Sequence, residues 1–323
     1  TGSQNTAIGY QALTLATTAI DNIAIGHDCM SKGVVTGFGY NIGIGFQALE
    51  DVTSGSHNIA IGREALDSVA TTNYNTAIGS YAGRNLTGGE YNAIVGYEAA
   101  SAGAFTGSGN AILGSFSGLK LTSGTNNCIM GRSAAYEITT GTSNTSIGTF
   151  SGYSLTTGGN NTFIGYSAGY FGSPSGTVTT GSNIICLGDG NVTDLYCQDT
   201  SISSSDSRDK TDITNFDIGL AWVEALRPVT YRWDRRIWYG ADDKSFGTPD
   251  GSKKRSRLHV GFLAQEALEV EKANGYGTSN DDSLVVHLNE DETAYGMKYE
   301  RLVPILVNAI KELSAEVKAL KAG

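Results

Sequence analysis

One phrase, Asn-x-Ala-Ile-Gly with variations, recurs from Asn5–Gly9 to Asn183–Gly188 in the 323-residue chain, eleven copies in all. Its closing glycines stand 17 residues apart except for single steps of 19, 18 and 23. A fixed period of this length means one structural unit stacked on copies of itself, and it decides the architecture before any local propensity is weighed. Each unit reads as strand, short turn, strand, turn: an Ile-Gly strand, an Ala-Leu or Ala-Gly step, then a Thr-Gly turn such as Leu121-Thr122-Ser123-Gly124. Glycine admits positive φ at corners, and Asn can bond its own backbone or stack as a ladder on the Asn one rung away. If each repeat is one rung rising about 4.8 Å, the eleven make a rod of about 50 Å. Properly apolar side chains are sparse, two or three per repeat (Ile78 and Tyr81, or Ile164 and Tyr166), so self-association would help such a coil bury its surface.

Charge divides the chain near residue 200. Residues 1–200 hold 12 acidic and 5 basic side chains, leaving 20 and 17 for the last 123; 34 of the 43 glycines lie before residue 200, and Trp222, Trp233 and Trp238 after it. We therefore expect a repeat fibre region over 1–190, a linker over 191–204 and a second domain over 205–323. A net charge of −10 disfavours nucleic acid as a partner, because neutralising phosphates takes clustered Lys and Arg. No apolar run is long enough to span a bilayer and no signal peptide opens the chain, so no membrane insertion is expected. Thr1-Gly2-Ser3-Gln4-Asn5 repeats the turn phrase Thr87-Gly88-Gly89-Glu90-Tyr91-Asn92 less one residue, as if the chain began inside the array. Cys29, Cys128, Cys186 and Cys197 are spaced neither for a disulfide framework nor for zinc and read as free thiols, mostly buried. No metal and no cofactor is expected. The recurring Gly-x-Gly steps (Gly43-Ile44-Gly45) are corners, not a phosphate loop, and the acidic pairs Glu50/Asp51 and Glu64/Asp67 read as solvated rung edges.

The repeats resemble the head repeats of trimeric autotransporter adhesins and similar repeats of phage tail fibres, although at 17 residues they are longer than the usual adhesin head repeat. That resemblance implies a trimeric β-fibre.

Beyond the Ser/Asp run Ser201–Lys210, helical spacing over Ile218–Leu226 ends at Pro228. A β-rich run Val229–Trp233 follows, a polar loop fills Ala241–Arg257, and Val260–Glu271 reads as strand into helix. A last helix over 299–322 carries a heptad seam, Val303, Leu306, Ile310, Leu313, Val317 and Leu320, flanked by Lys311, Glu312, Glu316 and Lys318, with Pro304 harmless in its first turn. The seam fits a coiled coil or a face packed on its own domain. The fold class is thus a β-solenoid-like repeat region followed by a small α+β domain ending in a long coiled-coil helix.

The phrases Ser205-Asp206-x-Arg208-x-Lys210, Leu226-Arg227-Pro228-Val229-Thr230-Tyr231, Gly261-Phe262-Leu263-Ala264-Gln265-Glu266 and Tyr299–Leu313, in that order, resemble the C-terminal intramolecular chaperone, auto-processing domain of phage tail fibres and endosialidase tailspikes. The resemblance implies a homotrimer in which this domain drives folding and is then released by a Ser-Lys dyad: Ser205 as nucleophile, Lys210 as base, a cut between Ser204 and Ser205, and Asp206 and Arg208 in support. The activity would be a single turnover on its own chain. It also implies a virion component assembled in the host cytoplasm, with a host glycan or protein as receptor. A trimeric bacterial adhesin, or a glycan-degrading tailspike with its active site elsewhere, are the alternatives.

Overall fold

The structure is a computed structural model, and it describes residues 2–36, 39–192, 194–195, 205–241, 245–289 and 293–322. It divides into two compact units, Thr1–Val192 and Thr193–Gly323.

The first unit is the solenoid. Eleven strands of three residues each, β1 (Thr6–Ile8) to β11 (Ile185–Leu187), form one parallel sheet in strict sequence order. Register is exact to the repeat: Ile25 pairs with Ile44, Ile44 with Ile61 and Ile61 with Ile78. One repeat is therefore one coil. A second strand per repeat was expected, but the remainder of each coil is a chain of turns whose N–H groups donate to the coils on either side. Three corners per coil are left-handed, and ordinary residues occupy most of them: within one coil Tyr40 (φ 47°), Gln47 (φ 55°) and Leu49 (φ 52°). Such residues pay about 1–2 kcal/mol each for that conformation, offset here by coil-to-coil hydrogen bonds, and no glycine marks them in the sequence.

Where glycine does recur, it is obligatory. A Cβ on Gly62 (φ +136°) would sit 2.5 Å from the carbonyl oxygen of Gly79 in the next coil, and one on Gly79 would meet Gly96 equally closely. Asn is as constrained. Asn75 Oδ1 accepts from both the backbone N–H and the Nδ2 of Asn92 (3.1 and 3.0 Å), while Asn92 Nδ2 also donates to Gly107 O at 2.9 Å. The pattern runs unbroken from Asn5 to Asn161, buried along nearly its whole length. Asp lacks the donor, so only an amide of this length satisfies both neighbours.

The core differs from the apolar residues the repeat advertises. The middle strand residue points inward (Ala60, Ala77, Ile94, Ile112, Ile129), joined by the Ala-Leu step (Ala48 and Leu49, Ala65 and Leu66) and one larger residue per coil (Val69, Leu86, Phe105, Leu121, Ile138). Ile78, Ile164 and Tyr166 lie outside. The reason is the pleat: flanking positions of a three-residue strand share the face opposite to the middle one.

The second unit has a smaller core of Trp222, Val285, Leu302 and Ile305. Helix α1 (Leu220–Ala225) precedes β12 (Val229–Tyr231), which pairs antiparallel with β13 (His259–Gly261); α2 (Ala264–Ala273) follows. Strands β14 (Val286–Leu288) and β15 (Tyr295–Met297) pair antiparallel, and a 3-10 turn at Tyr299–Arg301 leads into α3 (Leu302–Ala322). The polar segment expected as a loop lacks strand and α-helix among its described residues, yet it is tied down. Arg255 N–H donates to Trp233 O at 2.8 Å, and Arg236, Lys253 and Arg255 lie over Phe246, Tyr239 and Trp238.

Candidate functional site

The hexapeptide Ser205–Lys210 opens the described stretch 205–241 of the second unit. Asp206 is the N-cap of a 3-10 turn over Ser207–Asp209, its carboxylate accepting from Arg208 N–H at 2.9 Å. The same carboxylate takes the Arg208 guanidinium, with Nε at 3.0 and 3.1 Å from its two oxygens. Arg208 accordingly holds the Asp206 carboxyl below the ordinary carboxylate range, the side-chain bond being the main cause. After one turn the backbone at Lys210 is extended (φ −118°, ψ 139°), which sends its side chain back along the turn. Lys210 Nζ lies 2.7 Å from Ser205 Oγ. The structure thus brings together Ser205, Asp206, Arg208 and Lys210, with the first and last in hydrogen-bond contact across five residues.

Both Ser205 and Lys210 are exposed in the single chain. Ser204, whose carbonyl would be attacked, and Cys197 lie outside the described residues.

Two further features of this unit were not legible. Glu271, fully buried in α2, accepts the N–H groups of Leu284, Val285 and Val286 at 2.9, 2.7 and 2.8 Å, a three-donor grip that fixes the approach to β14. Glu312, counted as a seam flank, instead accepts the N–H of Leu220 at 2.8 Å and so caps α1. Arg227 pairs with Glu266, joining two of the sequence phrases that carried the resemblance.

Helix α3 has two apolar faces. Leu302, Ile305 and Ala309 are buried on the unit's own core, and Asn308 donates to Phe216 O at 2.6 Å. The seam from Val303 to Leu320 stays 41–83% exposed. The face packed on the unit's own core is therefore a different one from the heptad seam.

In the solenoid, the acidic pairs are not solvated edges. Glu50 and Glu64 are buried, Glu50 paired with Lys32 and Gln47, Glu64 with Arg63 and Arg84. Asp67 is pushed up to about 6, first by burial and then by the charges of Glu50 and Asp51. None of them forms an open pair of carboxylates across a groove. The thiols of Cys29, Cys128 and Cys186 are unpaired; Cys29 and Cys186 are buried, and burial pushes Cys29 up to about 12. Among the described residues no helix is long and apolar enough to cross a membrane.

Residues 205–276 match the family described as chaperone of endosialidase, whose name also marks it as a peptidase family. The second unit therefore carries an endosialidase-type chaperone domain, beginning at the serine of the Ser-Lys contact. No curated protein and no solved structure matches the chain.

Proposed function

We propose that this chain is part of a trimeric phage tail fibre whose C-terminal domain assembles three copies, sets their register and is then cut away between Ser204 and Ser205. The observation that carries the processing step is the 2.7 Å contact between Lys210 Nζ and Ser205 Oγ at the first residue of the chaperone match. A neutral lysine takes the hydroxyl proton as Oγ attacks the Ser204 carbonyl carbon. The peptide C–N bond breaks, the proton passes to the departing Ser205 nitrogen, and an ester joins Ser204 to Ser205 Oγ. Water then hydrolyses that ester, leaving a carboxylate on Ser204 and a free amine and hydroxyl on Ser205. The step needs the amine in its neutral form. Burial by neighbouring copies supplies the desolvation that frees its lone pair, so assembly licenses the cut.

Trimerisation is supported at two places. The exposed seam of α3 offers a coiled-coil face. Along the solenoid, the last residue of every strand points outward and is aliphatic or Met, from Ile8 through Ile44, Ile78 and Met130 to Leu187, in register for the length of the sheet. A continuous apolar ridge of about 50 Å exceeds what a soluble monomer ordinarily exposes. Because all coils look alike, three such ridges can pair one rung out of step, and a clamp at one end removes that degeneracy. Cleavage afterwards leaves a kinetically trapped assembly.

The test is the intact mass of the folded protein beside its native mass. The reading expects a trimer and chains cut before Ser205. Only full-length chain in a native trimer would sink the processing step. Ser205→Ala is expected to trimerise and stay uncut; continued cutting would remove Ser205 from the chemistry.

A further inference from the structure

The solenoid allows one comparison that a globular domain does not: each position of a coil is filled ten times over, so a side chain present at a single coil is not required by the coil. The second residue after the corner glycine shows this. It is Ser133 in one coil and Ser167 in another, Phe116 and Phe150 elsewhere, all in the same left-handed conformation as Glu64 (φ 52°). Serine serves the fold there, and acidic residues stand at the same position at Asp28 and Glu98, but of the three only Glu64 is buried, beneath two arginines. A buried charge is poor at adding stability, so its presence at this coil points to a different use.

What Glu64 does is hold two guanidinium groups in place. Its oxygens take Arg63 Nε at 3.0 Å and Arg84 at 2.8 Å. The two guanidinium carbons lie 5.4 and 5.5 Å from the centre of the Tyr81 ring. Tyr97, from the next coil, stands edge-on to Tyr81 at 6.1 Å and is 44% exposed. Glu98 beside it bonds the Tyr97 hydroxyl. Together these six residues line a surface cleft of about 450 Å³ with Leu119 at its floor, a volume in the range of ligand sites.

The chemistry of the cleft selects its ligand class. Each arginine spends one donor group on Glu64 and keeps the rest of its five N–H bonds. Arg63 and Arg84 are balanced by Glu64 and Glu98, so the cleft has no net positive field to draw a simple anion. Its walls are too polar for an apolar ligand. Planar donors and planar acceptors side by side, with an exposed aromatic ring at hand, match vicinal hydroxyls above a pyranose face. We propose that this cleft binds a neutral, hydroxyl-rich saccharide, with Arg63, Arg84 and Glu98 meeting the hydroxyls and Tyr97 meeting the ring.

The experiment is saturation-transfer NMR on the full chain with chitotetraose, maltotetraose, mannotetraose and tetragalacturonate, each to about 10 mM. At least one neutral tetrasaccharide is expected to bind, and Tyr97→Ala and Arg84→Gln are each expected to weaken it about tenfold or more. Thermal unfolding and native mass equal to the parent's would show that neither variant acts through folding. Lys120→Ala, on a later coil, is expected to bind as the parent does. No transfer from any neutral sugar, transfer only from tetragalacturonate, or binding unmoved by both variants would overturn the site. Ser205→Ala is expected to bind equally, so this proposal and the processing step fail independently.

Discussion

The solenoid and the C-terminal unit solve the burial problem in opposite ways. In the solenoid nearly every backbone and Asn group is satisfied by the coil above or below, and the interior is lined from Ala19 to Cys186 without a gap. Its order is repetitive, so it is stable along the axis and ambiguous in register. The C-terminal unit is the reverse. Its core of Trp222, Val285, Leu302 and Ile305 is small, its pairings are unique, and half of α3 presents Val303, Ile310 and Leu320 to solvent. One unit is complete in cross-section but repetitive in register; the other has unique pairings but a small core. If the second sets the register of the first, as proposed, each supplies what the other lacks.

The largest effect should come from separating them. A chain ending at Ser204 is expected to yield aggregates or misregistered assemblies instead of a soluble trimer, read by light scattering after refolding. A native trimer from that shortened chain would show that the solenoid sets its own register. Next, Ile310→Glu puts a charge into the exposed seam of α3 while leaving Leu302, Ile305 and Ala309 on the core. Native mass should fall from trimer to monomer, and cutting should stop with it if assembly licenses the chemistry. Unchanged mass would assign the seam no role between chains.

A smaller effect tests the ladder. Asn92→Leu leaves Asn110 N–H and Gly107 O without partners inside the solenoid and should cost about 2–5 kcal/mol, seen as a lower unfolding midpoint in denaturant. A loss below about 0.5 kcal/mol would mean that the ladder is ornamental.

The smallest is electrostatic. Asp67, facing Lys32, Glu50, Asp51 and Arg84, is raised to about 6 from its ordinary 3.8. The folded state thus binds this proton more tightly than the unfolded one, so the fold is penalised above pH 6 and relieved as pH falls through 6 towards 4. Asp67→Asn should stabilise the solenoid by about 1 kcal/mol at pH 7, after discounting for partial exposure, and flatten that stretch of the pH profile. An unaltered profile would remove Asp67 as its source.

Much of this was written in the chain. The period gave one coil per repeat. The helix and strand phrases from Ile218 to Glu271 and the last helix appear within a few residues of their expected places. The direction of side chains was not legible. Ile78 and Ala77 are adjacent, and hydrophobicity ranks the isoleucine as core, yet the alanine is buried and the isoleucine is outside.

Periodicity is a one-dimensional property, so the sequence by itself determined the repeat, the stack and the order of the elements. Which face of each three-residue strand turns inward depends on the left-handed corners at positions such as Gln47 and Leu49, where no glycine announces them. The burial of Glu50 and Glu64 depends on partners one coil away, 18 and 20 residues off in sequence. Those outcomes are set by steric and charge contacts between coils, and only the tertiary structure decided them.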